Sequence, residues 1–164
     1  MIQLSRKSHF ALGVCLASLL AVLGAESRAS AQPGQYITQA TVRLTKLVNA
    51  ANSSGYELQN NSFSIGGGWL KQSQSDWIAL YTVPLTAGKT YRFIAAGDSD
   101  ARDVDLEVQD AKGKVWARDD KTDPEAVVTF SPENTGRYTV RIRLYDSRES
   151  LPCVCLAIVM IKKK

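Results

Sequence analysis

The chain is poor in the residues that most side-chain catalysis needs. Its 164 residues include one histidine and three cysteines. The histidine, His9, lies with Cys15 in an N-terminal stretch that reads as an export signal. Arg6 and Lys7 make a short basic start, and Phe10 to Leu23 is an almost unbroken apolar run. Ala29-Ser30-Ala31 then offers the small-x-small pattern that a signal peptidase accepts. Cleavage is expected before Gln32, which makes residues 1–31 a signal peptide. The apolar run covers about 14 residues, short of the roughly 20 that cross a bilayer, so an uncleaved anchor is the lesser reading.

Without that segment the chain holds no imidazole and only two thiols, Cys153 and Cys155. Ser-His-Asp catalysis, Cys-His catalysis and the common zinc sites are thereby excluded. Long apolar stretches are lacking as well, so no membrane span is expected after cleavage. Charge of one sign is also scarce. The formal charge of +4 falls to +2 once residues 1–31 are removed, and Lys162, Lys163 and Lys164 supply three of the positives. The body is then slightly acidic, whereas a nucleic-acid partner requires a basic face. The expected location is secreted or periplasmic.

Tyr36 to Asn52 carries the helical period. Ile37, Ala40, Thr41, Leu44, Leu47, Val48 and Ala51 share one face, with Arg43, Lys46 and Asn49 away from it. Gly55 is placed to end the helix in left-handed geometry. The stretch from Ser53 to Ser75 is polar and reads as a connection with one or two short strands. Gly66-Gly67-Gly68 within it is not a phosphate loop, because no Gly-Lys-Ser/Thr follows. From Trp77 onward the period is two. Short strands alternate with turn residues such as Gly88, Gly113 and Asn134-Thr135-Gly136, and no helix intervenes. Cys153 to Ile161 is apolar on both faces, as a central strand is. Tyr138, just after a turn, fits a tyrosine corner. The expected fold is mainly β: an antiparallel jelly-roll-like β-sandwich over residues 77–164, preceded by one amphipathic α-helix and a linker over 32–76.

Several segments resemble one family in order. Leu85-Thr86-Ala87-Gly88-Lys89-Thr90-Tyr91 is similar to the "L-x-A-G-x-T-Y" segment of the bacterial pre-peptidase C-terminal domain. Asp103-Val104-Asp105-Leu106-Glu107-Val108 resembles its "D-x-D-L-x-V" strand, Asp110 to Val115 its next hairpin, and Asp119-Asp120 the acidic pair that follows. Phe130 to Ile142 resembles its closing "F-x-P-x-x-T-G-x-Y-x-V-x-V" segment. The resemblance runs from Trp77 to Ile161. It implies a secreted, non-catalytic β-sandwich of the kind appended to exported enzymes, with relatives among collagen-binding modules that bind calcium and an extracellular polymer. Here a helix and linker stand where an enzyme domain would be, which favours a free-standing module.

Two constellations carry possible chemistry. Residues 98–125 hold ten carboxylates against five cations. Asp98, Asp100 and Asp103 in a loop, with Asp119 and Asp120 from a neighbouring loop, could supply the six to eight oxygens that Ca²⁺ takes. The alternative is a solvated acidic rim paired with Arg102, Lys112, Lys114, Arg118 and Lys121. Asp103 and Asp105, two apart on one strand, could also act as paired carboxylates of a hydrolase, with no other feature in support. Trp69, Trp77 and Trp116 could offer a stacking platform. Trp116 with Arg118 is the favoured ligand-binding pair, and Trp77 is expected in the core. Cys153 and Cys155 share a strand face, where a bridge would be strained, so buried free thiols are favoured. The expected function is binding of an exported protein or extracellular polymer, with Ca²⁺ as the candidate cofactor. The alternative is a structural or chaperone-like subunit docking through its helix.

Overall fold

The computed structural model describes residues 33–59 and 64–163. The expected signal peptide lies outside the described residues. Helix α1 (Pro33–Ser53) precedes nine strands: β1 (Tyr56–Glu57), β2 (Ile65–Leu70), β3 (Ile78–Leu85), β4 (Tyr91–Gly97), β5 (Ala101–Asp110), β6 (Val115–Asp119), β7 (Glu125–Phe130), β8 (Gly136–Ser147) and β9 (Cys153–Lys162). They form two antiparallel sheets. Sheet A runs β1-β9-β4-β7, with β2 also paired to β9, and sheet B runs β3-β8-β5-β6. Strands β2 to β9 hop between the sheets in the order of a jelly roll, so the expected sandwich and its leading helix are both present. The polar stretch before Trp77 contributes more than a connection, because β1 and β2 together close one side of β9.

The apolar pattern explains this layering. On β9, Cys153, Cys155, Ala157 and Val159 face sheet B and join the inter-sheet core with Phe93, Leu106, Val140 and Ile142. The alternate residues Ile158 and Met160 face the other way and pack with Ile94 and Ala96 against Leu44, Ala51, Leu47 and Val48 of the helix. A strand covered on both faces has to be apolar on both. Burying each large side chain here stabilises the fold by roughly 1.5–3 kcal/mol.

The helix departs from expectation at three places. Ile37 and Thr41, read as part of the packed face, are exposed, Ile37 at 51%. Arg43, read as facing solvent, is half-buried instead. Its Nη1 donates to the carbonyls of Gly97 (2.6 Å) and Asp98 (2.7 Å), tying α1 to the end of β4. Gly55 takes φ +84° and ends the helix as expected. Tyr138 Oη donates to the Asn134 carbonyl at 3.0 Å, forming the tyrosine corner. Among the described residues, no helix is long and apolar enough to cross a membrane. Cys153 and Cys155 are buried free thiols, and Cys153 Sγ donates to the Leu151 carbonyl at 3.6 Å. Burial pushes the Cys153 thiol up to about 12, with Asp98 nearby adding to the effect.

Candidate functional site

The acidic residues divide among separate tasks. Asp98 is fully buried: its Oδ1 accepts from the Asp100 amide (3.0 Å) and its Oδ2 from the Val154 amide (2.6 Å), pinning the β4–β5 turn to β9. Asp100 pairs with Arg148 at 3.1 Å. Asp119 accepts from the amides of Lys121 and Val127 and so shapes the β6–β7 connection. Of the five residues read as a calcium set, only Asp103 and Asp120 line a common space. Asp98, Asp100 and Asp119 have spent their oxygens on backbone amides and Arg148. Among the described residues, no three acidic, histidine or cysteine side chains are grouped to hold a metal ion. The five residues of the expected shell are therefore not brought together in one place.

The outer face of sheet B explains where the other acids go. Asp103, Asp105 and Glu107 alternate with the core residues Val104, Leu106 and Val108, so they point away from the core. All three are nevertheless buried, and cations from neighbouring strands lie over Asp105 and Glu107. Register sets Asp105 opposite Arg143 and Glu107 opposite both Arg141 and Arg118. Arg143 binds Asp105 through Nε (2.8 Å) and Nη2 (2.6 Å). Glu107 accepts from Arg141 (2.8 Å) and from Arg118 (2.6 Å). Trp77 lies among these cations, with the guanidiniums of Arg143, Arg118 and Arg141 at 4.6, 5.1 and 6.0 Å from its ring. It serves as a lid on the ionic layer and is not part of the expected core.

Beside this layer is a cleft of about 280 Å³ lined by Asp103, Asp105, Asp120, Thr122, Arg143 and Tyr145. Asp103 is 5% exposed and its Oδ1 has no hydrogen-bond partner. Burial pushes its carboxyl up to about 6, with Asp105, Asp146 and Asp123 raising it and Arg143 opposing. A carboxyl that is more basic folded than unfolded favours folding at low pH. That contribution is complete below the ordinary 3.8 and is lost as pH rises through about 6. Asp103→Asn is expected to be more stable than the parent by about 2 kcal/mol near pH 8, with the gap closing toward pH 4. Urea unfolding across that range checks it; a gap that does not change with pH would show that the carboxylate is not strained.

The expected Trp116–Arg118 pair is taken up internally. Trp116 Nε1 donates to Asp110 (2.9 Å), and Lys114 Nζ stands 3.6 Å from its ring centroid, covering a face. Arg118 is turned to Glu107 through Nε and Nη2. The tryptophan that meets solvent is Trp69, 53% exposed at the edge of sheet A and edge-on to Tyr36 at 5.3 Å. It stands at the rim of a groove of about 600 Å³ whose walls include Gly68, Leu70, Ile78, Leu80 and Leu144.

The groove exists because the sandwich is open between two edge strands. Among the described residues, strand β2 pairs only with β9, and β3 only with β8. Ser64 accepts from the Val159 amide, which sets the backbone of Gly66, Gly68 and Leu70 toward β9 and that of Ile65, Gly67 and Trp69 toward the free edge. A side chain added at Gly68 would meet nothing within 4 Å, so the missing side chain leaves the space between the sheets unfilled. In the sequence, the signal for this groove is the absence of side-chain bulk at Gly66-Gly67-Gly68 in a run flanked by Ile65, Trp69 and Leu70.

Fold and site together define an antiparallel jelly-roll sandwich with an apolar edge groove and a charged outer face. No protein-family model and no curated protein matches the chain. Among solved structures it is similar to one described as a cyanophage Pam1 capsid asymmetric unit, at 15% identity over 65% of this chain and 91% of that one, with a TM-score of 0.29.

Proposed function

We propose that this chain is an exported, non-catalytic β-sandwich module that binds an extended segment of a partner protein along the free edge of β2. The observation that carries this reading is the groove between two unpaired strand edges, with Trp69 at its rim. An added strand would pair with the outward amides and carbonyls of Ile65, Gly67 and Trp69 and place alternate apolar side chains against Ile78, Leu80 and Leu144. The resemblance to pre-peptidase C-terminal domains supports an accessory binding role in the same sense. The apolar face of α1 is already occupied by sheet A, which weighs against docking through the helix. An exposed tryptophan beside a groove also suits an extracellular polysaccharide, and that is the second reading.

Selection from a random peptide library against the purified chain is expected to enrich extended sequences with alternating apolar residues. Trp69→Ala should weaken the selected peptides at least about tenfold in calorimetry, as truncation of a central aromatic anchor does, with an unchanged melting temperature. Peptides that bind Trp69→Ala as well as the parent would end the proposal. Retention of the parent but not the variant in gels containing soluble glycans, with no peptide enriched, would replace it with the polysaccharide reading.

A further inference from the structure

We infer that the cleft between β5, β8 and the β6–β7 connection is a receptor for a primary ammonium group, such as a lysine side chain or an aliphatic polyamine carries. Three carboxylates and one guanidinium line it. Arg143 is paired with Asp105, and although its charge also acts on Asp103, the three carboxylates outnumber the one guanidinium in the lining. Asp103 is the telling residue: a carboxylate 5% exposed with an unpartnered oxygen, lining an open cleft. An orphaned buried anion destabilises a fold, and its retention is explained by a ligand that completes it.

The shape selects the ligand class. An ammonium donates three hydrogen bonds, and the cleft offers three acceptor groups: the carboxylates of Asp103 and Asp120 and the Thr122 hydroxyl. A metal ion would need its oxygens converging on one point, and no such group is present among the described residues. The volume of about 280 Å³ exceeds a bare ion and accommodates an ammonium with part of its aliphatic stem beside Tyr145. The charged groups around Asp103 are Asp105, Arg143 and Asp146 on β5 and β8, with Asp120 and Asp123 on the β6–β7 connection.

Titration of the purified chain with n-butylammonium, followed by NMR, tests this. Saturable shifts are expected at the amides of Asp103, Thr122 and Tyr145 near pH 8, and tetramethylammonium, which has no N–H, should produce none. Affinity should fall about tenfold at pH 5 as Asp103 takes a proton. Asp103→Asn and Asp120→Asn should each abolish the shifts, and either variant serves if the other fails to fold. A lysine-containing peptide binding more tightly than cadaverine would identify a protein side chain as the source, and the reverse order a free polyamine. No saturable shift with butylammonium, shifts retained in both variants, or the same amides responding to calcium chloride more tightly than to any amine would overturn the inference.

Discussion

Gly67→Ala is expected to destabilise the chain by about 3–5 kcal/mol and to release β2 from sheet A. Gly67 sits at φ +150°, where an L side chain is strained, and an added Cβ would fall on the Cys155 carbonyl oxygen and within 2.8 Å of the Leu156 Cα. Both obstacles are backbone atoms of the central strand β9, which is held on its other side by β4 and cannot yield. Backbone strain of this kind costs about 1–3 kcal/mol, and overpacking against a fixed neighbour a similar amount. Gly88→Ala provides the comparison, since Gly88 has φ +74° but open space around it. That change should cost about 1–2 kcal/mol, the conformational part alone. Urea unfolding of both variants separates strain from collision; equal losses would show that the approach to β9 does not matter. Loss of β2 also removes the groove wall, so peptide binding should disappear along with stability.

The period of hydrophobicity made the fold readable from the sequence. Val104, Leu106 and Val108 announced a strand, and the two-sided apolar run from Cys153 announced a central one. Periodicity says which face a residue occupies within its own element. It does not say which strands are neighbours or in what register. Asp105 therefore reads as one of a carboxylate pair with Asp103, when the antiparallel register of β5 with β8 places Asp105 opposite Arg143 and Glu107 opposite Arg141. The two patterns, D-x-D-x-E and R-x-R, have the same spacing, and only the pairing turns them into one buried layer. The same limit governed the tryptophans. Trp77 follows a strand pattern but lies over guanidiniums, and Trp69, in a glycine-rich stretch without period, is the one left at a free edge. The calcium set was drawn from nearness in sequence, whereas Asp98 and Asp119 are consumed by backbone amides that a linear reading does not locate.

Arg143 joins the ionic layer, the cleft and the 71–77 segment, so its removal should be felt most. Arg143 binds Asp105 through two nitrogens, lies 4.6 Å from the Trp77 ring and 4.8 Å from that of Tyr145, and its Nη1 donates to the Gln74 carbonyl. Arg143→Met keeps the aliphatic volume but leaves Asp105, 1% exposed, as a buried anion without its cation. Breaking one side of a buried pair costs about 3–5 kcal/mol, more than the pair contributes over an apolar replacement. The deficit should depend on pH. Burial already raises the Asp105 carboxyl above its ordinary 3.8, with the hydrogen bond and charge of Arg143 holding it down. Without Arg143 it rises further, so the folded form binds the proton more tightly than the unfolded one. Stability of Arg143→Met should therefore be higher at acid than at neutral pH, as the carboxyl takes up its proton. Adding Asp105→Leu should restore most of the loss at either pH, because the orphaned charge is gone and the space is filled by an apolar side chain. Differential scanning calorimetry of the parent, both single variants and the double variant completes the cycle. A double variant no better than Arg143→Met, with the deficit unchanged by pH, would mean that Arg143 acts through the Gln74 carbonyl and the 71–77 segment, and that the Asp105 charge has no part in the loss.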